Sequence, residues 1–338
     1  MLAAARDEYA VGTRSGVSAR HVLTRYAHRM DALVRAIAET ARRETRVPVV
    51  VCALGGYGRR ALCLHSDIDL LIVFDGQIAR PEERFVNALL HPLWDLKLTI
   101  GQHVRELPDF DKPDTGNPEF LLALLDARFL AGDERLCSTL TERLQGVQRE
   151  TAAPVVQALL ALVDDRHARF NNTFYQLEPD IKNAPGGLRD VAATRFLRVL
   201  APHAFADAED EGVAASDRQG MADADARLSE AENFLLRIRS VLHLESGRDA
   251  NLLNHELQEK IAEAFGYQGE QPQQHVEGLM GEYFQRARAI SRSLDWARRK
   301  VQAPAEKAPP KPVGRHLVMA SDGIRFTDGA RAASQPAL

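Results

Sequence analysis

The run GGYGRRALCLHSDIDLLIVF, residues 55–74, decides how this chain is read. Two glycines close one apolar stretch, a short spacer follows, and two aspartates, Asp67 and Asp69, head a second apolar stretch. Before the glycines, Val47, Val49, Val50, Val51, Ala53 and Leu54 form a β-branched run that predicts a buried strand. After the spacer, residues 68–74 predict a second strand, stopped by Asp75 and Gly76. Successive side chains of a strand alternate faces, so Asp67 and Asp69 share one face. Ile68, Leu70 and Ile72 point the other way, into a core.

That arrangement suits phosphoryl chemistry. Two like charges side by side are costly without a cation, and hard divalent ions such as Mg²⁺ take carboxylate oxygens. Gly55 and Gly56, ending a strand and opening a helical turn, allow backbone to approach phosphate closely. Arg59, or Arg60, adds a charge-assisted contact for a departing pyrophosphate. Ser66 either donates to a phosphate oxygen or caps the turn. The spacing fits neither the GxxxxGK[ST] phosphate loop nor the GxGxxG dinucleotide fingerprint. The order of strand, glycine turn, spacer and acid pair points instead to metal-assisted transfer of a nucleoside monophosphate from a triphosphate.

Outward from this core, Val22, Tyr26, Met30, Leu33 and Ile37 recur at helical spacing and predict an amphipathic helix over 18–44. Residues 82–98 read as a helix and 98–107 as a third strand, with 109–118 a loop by composition. From residue 119 the pattern is helical: 119–131, 134–145, 155–171, 226–245, 257–264 and 276–301. The acidic, Ala-rich stretch 204–226 reads as mobile. Trp94 and Trp296 are expected to anchor helices in cores. The expected class is α+β: a small mixed-sheet nucleotidyltransferase domain followed by an all-helical domain. Its expected parts are an N-terminal helical segment (1–46), the mixed-sheet domain (47–150), the helical domain (151–302) and a Pro-rich linker and tail (303–338).

Bulk properties narrow the setting. The chain has 338 residues, 45% hydrophobic and 27% charged, which excludes a mainly disordered chain. A net charge of -4 gives no pointer to nucleic acid. No run approaches the roughly 18 to 20 apolar residues of a membrane span. Arg6, Asp7 and Glu8 interrupt the start too early for a signal peptide. The cysteines Cys52, Cys63 and Cys137 form no CxxC pair, so packing roles and a reducing cytoplasm are expected.

GGYGRR…SDIDLLIVF resembles the signature of the polymerase-β-type nucleotidyltransferase superfamily. It is similar in particular to the uridylyltransferase half of the bifunctional uridylyltransferase/uridylyl-removing enzymes acting on the PII nitrogen-regulatory protein. LEPDIKNAPGGLRDV (177–191), the stretch 234–267 and LWDLKLTIGQHVREL (93–107) resemble further segments of that family. The resemblance implies transfer of UMP from UTP to a tyrosine of PII, with pyrophosphate released. It implies Asp67 and Asp69 as catalytic holders of Mg²⁺ or Mn²⁺, and Gly55, Gly56 and Gly58 as the triphosphate cradle. Lys182, Gly186, Gly187, Arg189 and Asp190 would face the same cleft from the helical domain. On the residues alone, Arg189 and Asp190 equally suit a salt bridge in a structural turn.

The chain departs from that pattern. Ala61 and Leu64 stand where the family usually has Glu and Pro. A third carboxylate, expected on a later strand as general base, has no assignable candidate among Asp95, Gln102, His103 and Glu106. No HD dipeptide occurs, so neither uridylyl-removing hydrolase activity nor glutamine sensing is expected, whether the chain is a truncated piece or a short paralogue. Two alternatives stay open: a non-catalytic PII-binding or regulatory paralogue, and a transferase with another nucleotide or acceptor protein.

Overall fold

The computed structural model describes residues 2–208, 215–269 and 272–303, and three short strands between 311 and 326. Two helices lead the chain, α1 (Leu2–Arg14) and α2 (Ala19–Thr45). The first lies in the segment expected to be helical (1–46), although no separate helix was marked there. The second buries Val22, Leu23, Tyr26, Met30 and Val34 along one stripe, while Leu33 and Ile37 lie half-buried at its margin. It ends at Arg46, whose left-handed backbone (φ 56°) turns the chain into the sheet.

The mixed sheet follows. β1 (Val49–Ala53) leads through a single helical turn, α3 (Gly55–Gly58), and a loop to β2 (Ile68–Phe74). α4 (Arg80–Asp95) then crosses over to β3 (Ile100–Glu106), which lies parallel to β2. α5 (Pro118–Leu124) precedes β4 (Arg128–Gly132), antiparallel to β1. The strand order is β3-β2-β1-β4.

Both faces of the sheet are covered. Val49, Val51, Ala53, Ile68, Leu70 and Ile72 join a core with α1, α2 and α4. Val50, Cys52, Leu71 and Val73 join a second core with residues 107–124 and the helices that follow. Asp67 and Asp69 thus share a face with buried Leu71 and Val73. The acid pair is the polar lip of an apolar surface, not part of a solvated one.

Helices make up most of the rest: α6 (Glu134–Ala168), α7 (Leu188–Leu200), α8 (Ala215–Ser246), α9 (His255–Phe265) and α10 (Pro272–Gln302). Several expectations need correcting. The helix expected over 119–131 stops at Leu124, and Arg128–Gly132 is a strand, because pairing with β1 outweighs the helical period of the run. The helices expected over 134–145 and 155–171 are one, α6, capped by Asp133 accepting from the N–H groups of Arg135 and Leu136. Pro154 sits inside it. Proline removes one backbone bond there, but Val155, Val156, Leu159, Leu160 and Val163 are buried on the following turns and hold the helix together. The expected boundary at 150/151 falls within this helix.

Part of the stretch read as mobile is regular: a 3-10 segment, Pro202–Ala208, and the start of α8 from Ala215; residues 209–214 lie outside the described residues. Trp94 is 42% exposed rather than a core anchor. Trp296 is half-buried against Phe205, with Arg198 over its ring. Within the stretch expected as linker and tail, β5 (Lys311–Gly314), β6 (Leu317–Ala320) and β7 (Gly323–Phe326) pair into an antiparallel sheet. Its other residues beyond 303 lie outside those described.

Candidate active site

The glycine turn and the acid pair meet because β1 and β2 run side by side. The Leu54 N–H donates to the Asp69 carbonyl at 2.9 Å, so the turn opens directly over the acid-bearing end of β2. β3 is in register, with Asp69 opposite Gly101. A Cβ at Gly101 would lie 2.3 Å from Asp69 Oδ1, and one at Gly55 (φ +52°) would lie 3.4 Å from Oδ2. The carboxylate is therefore seated between two residues that lack side chains. Burial first, and then the neighbouring charge of Asp67, push its pKa up; Lys182 and Arg59 oppose the rise. A divalent ion would relieve that same cost.

A cavity of about 320 Å³ opens over the pair. Gly56, Arg59, Ser66, Asp67 and Asp69 line it from the sheet side, and Lys182 and Arg189 from the helical side. Most of the residues anticipated for the site therefore do share one space. Ser66 Oγ is buried without a hydrogen-bond partner among the described residues, a group suited to a ligand oxygen. Lys182, pressed by burial and by Arg239, has its pKa lowered.

Other anticipated residues lie elsewhere. Gly58 is buried and does not line the cavity. A Cβ there would come 2.1 Å from the Asp126 carbonyl oxygen, so its bareness serves the packing of residues 126–128 on the turn. Arg128 locks that contact, donating to the Gly58 carbonyl at 3.0 Å and to Asp31 at 2.7 and 2.9 Å. Arg59 lines the cavity, but its guanidinium is paired with Asp126. Burial pushes the Asp126 carboxyl up to about 6, against the pull of Arg59 and Arg195. Gly186, Gly187 and Asp190 are buried behind the wall, and Asp190 pairs with Arg166 and His167, not with Arg189.

None of the four candidates for a third polar group lines the cavity. Asp95 and Gln102 are exposed; His103 packs on Phe120 with ring centres 4.6 Å apart. Glu106 sits at the far end of β3, accepting from the Ile78 N–H at 2.9 Å. Among the described residues no group of three His, Cys, Asp or Glu side chains is placed to hold a metal. Two carboxylates, Asp67 just before β2 and Asp69 within it, still suit Mg²⁺, which keeps waters and takes substrate phosphate oxygens beside one or two carboxylates.

Four charged wall residues were not anticipated: Arg195, Glu232, Arg239 and Asp249. Glu232 is buried and gripped by Arg20 and by Arg195, the latter at 2.7 Å. Arg239 donates to Asp249 at 2.8 Å. The Asp249 carboxyl is held well below the usual range, first by His243 beside it at 3.0 Å. His243 also accepts from the His65 N–H at 3.2 Å, which ties the spacer before the acid pair to α8. These pairs leave Lys182 and Arg189 as cavity cations with no ion pair among the described residues.

Known proteins resemble this chain over much of its length. Residues 155–296 match the family model described as GlnD PII-uridylyltransferase. The chain is 34% identical over 245 residues to a bifunctional uridylyltransferase/uridylyl-removing enzyme of Methylococcus capsulatus, covering 72% of this chain and 27% of the relative. An enzyme of the same name from Bordetella parapertussis is 35% identical over 244 residues, covering 71% and 27%. One from Pseudomonas fluorescens is 30% identical over 328 residues, covering 91% and 34%. The chain thus spans about a third or less of the length of these relatives. Fold and relatives together set the chain in a class whose named members are uridylyltransferases. Within that class, the chain belongs to the GlnD PII-uridylyltransferase family.

Proposed function

We propose that this chain transfers UMP from UTP to a tyrosine hydroxyl of the PII nitrogen-regulatory protein, in the cytoplasm, with Mg²⁺ or Mn²⁺ held by Asp67 and Asp69. One observation carries the reading: Asp67 and Asp69 share a cavity with Lys182 and Arg189, which come from a segment far along the chain. A triphosphate brings roughly four negative charges and enters with divalent ions. With two such ions, two carboxylates and two free cations, the charges in the cavity sum to about zero. In the reaction the tyrosine oxygen bonds to the α-phosphorus, and the bond from that phosphorus to the β-phosphate oxygen breaks. Pyrophosphate leaves with the electron pair, and the tyrosine proton is released to water.

The bound metal neutralises charge that develops on the phosphate oxygens. The chain's own groups orient and exclude. Gly56 gives the phosphates close access to backbone, Ser66 Oγ offers a hydrogen bond, and Lys182 and Arg189 face the departing end. Leu62, Leu188 and Leu236 supply an apolar wall for the nucleoside. No nucleic-acid or membrane partner enters this reading; among the described residues no helix is long and apolar enough to cross a membrane.

The test is incubation with labelled UTP, Mg²⁺ and PII. Label on PII with the wild type and none with Asp69→Asn is the expected outcome; equal labelling by the two would sink the proposal. A second reading, a non-catalytic PII-binding or regulatory paralogue, draws on the lack of a third metal-holding side chain among the described residues and on Ala61 in the cavity wall. Calorimetry separates the two, since a degenerate site gives no Mg²⁺-dependent heat with UTP. A competition series with other triphosphates and other acceptor proteins tests the choice of nucleotide and acceptor.

A further inference from the structure

We infer that Asp190 is a positioning residue that holds Lys182 and Arg189 against the acid pair without touching substrate; the inference rests on the cavity being the nucleotide site proposed above. Its side chain is fully buried. Oδ1 accepts from Arg166 Nη2 at 2.7 Å and faces His167 Nε2 at 2.9 Å; Oδ2 accepts from the Gly186 N–H at 2.7 Å and faces the same His167 nitrogen at 3.1 Å. Both oxygens are engaged by neighbours and the side chain has no exposed surface to offer a ligand.

What these bonds hold is the segment that carries the cavity cations. Residues 181–189 fold back on themselves: the Leu188 N–H donates to the Ile181 carbonyl and the Arg189 N–H to the Lys182 carbonyl, each at 3.0 Å. Lys182 and Arg189 are therefore neighbours across a narrow loop. Asp180 shapes one arm, accepting from the N–H groups of Lys182 and Asn183 at 2.9 and 2.8 Å. The tip, Gly186, has φ +74° and abuts the Ala287 carbonyl, a place that admits no Cβ. Arg166 also donates to the Asn183 carbonyl at 2.9 Å. The end of α6 thus grips the loop at two points, and its other turns pack in the core beneath the sheet. Through Asp190, the position of the two cations is referred to the same body that carries Asp67 and Asp69.

The experiment compares wild type with Asp190→Asn, which keeps the shape and removes the charge. Two readouts are taken: UTP affinity with Mg²⁺ by calorimetry, and the rate of Lys182 acylation by an amine-reactive ester, followed by mass spectrometry. The expected results are a loss of UTP affinity of about ten-fold, the scale of one charge-assisted contact, and faster Lys182 labelling. With Lys182 and Arg189 both changed to Ala, adding Asp190→Asn should alter UTP affinity by less than about two-fold, since coupled residues do not add. Unchanged labelling, or the same ten-fold loss in the doubly substituted background, overturns the inference. Should Asp190→Asn fail to fold, His167→Gln, which leaves the Arg166 and Gly186 bonds, carries the same comparison. If the wild type binds no UTP, faster Lys182 labelling upholds the positioning role and sinks the nucleotide reading. Unchanged labelling in that case sinks both.

Discussion

Replacing Gly101 with alanine separates the chemistry of this site from its stability. The new Cβ would stand 2.3 Å from Asp69 Oδ1, whereas ordinary contact begins at 3.4 Å, so the carboxylate must retreat by about 1 Å (3.4 less 2.3). The atom that gives way ends a half-buried side chain that can rotate. The fold should therefore lose no more than about 1 kcal/mol, the scale of one off-rotamer torsion. A displacement of about 1 Å in a catalytic group costs on the order of a hundred-fold in rate. The expected result is a urea midpoint close to wild type and label transfer from UTP reduced about a hundred-fold. Transfer within about three-fold of wild type would refute the seating argument. A loss of several kcal/mol in stability would show that the carboxylate does not yield as reasoned.

Asp69→Asn should raise the melting temperature of the protein at neutral pH without divalent ions, while abolishing transfer. The sign follows from the raised pKa: the ionised carboxylate is disfavoured in the folded state, so its cost is present above the folded pKa and vanishes as pH falls below the unfolded value. The gain from Asn should therefore fade on acidification, and Mg²⁺ should stabilise the wild type but not the variant in thermal scans. Gly58→Ala meets backbone rather than a side-chain tip, with the Asp126 carbonyl 2.1 Å away, and should cost about 1–3 kcal/mol in urea unfolding. Glu232→Gln should destabilise by about 1–2 kcal/mol, because Arg20 and Arg195 lose a charged partner but remain partly open to water; an unchanged urea midpoint would contradict the wall described.

Much of the sheet was legible because its residues are restricted in type. A β-branched run ending in glycines can do little but form β1, and the alternation after Asp67 marks β2 to the residue. Arg128–Gly132 was hidden, since RFLAG continues the apolar spacing of the helix before it and only the edge of β1 makes it a strand. The gap expected between 145 and 155 erred in the other direction, since α6 runs through it and through Pro154, held by burial of the turns that follow. In the site, Asp67 and Asp69 stood out because an acid pair heading a strand suits a divalent ion, whereas Lys182 and Arg189 were reached only through the family resemblance of residues 177–191. Arg195, Glu232, Arg239 and Asp249 carried no such signal. In sequence they resemble ordinary helix-surface charges, and their burial depends on which helices meet. Gly101 was passed over in favour of Gln102 and His103, for an empty position announces nothing until the atom it makes room for is known.

The two-sided burial of the sheet bears on how the chain comes off the ribosome. Val50, Cys52, Leu71 and Val73 belong to one core that also takes in Val155 to Val163, Leu197, Leu294 and Ala297. During synthesis at about 5–20 residues per second, the strands emerge well before the helices that cover this face. For some seconds the nascent protein carries an open apolar surface beside strand edges, the kind of surface that sticks to other chains or to a chaperone. Slowing translation after residue 132 should lengthen that vulnerable interval, whereas slowing it after residue 297 should matter little.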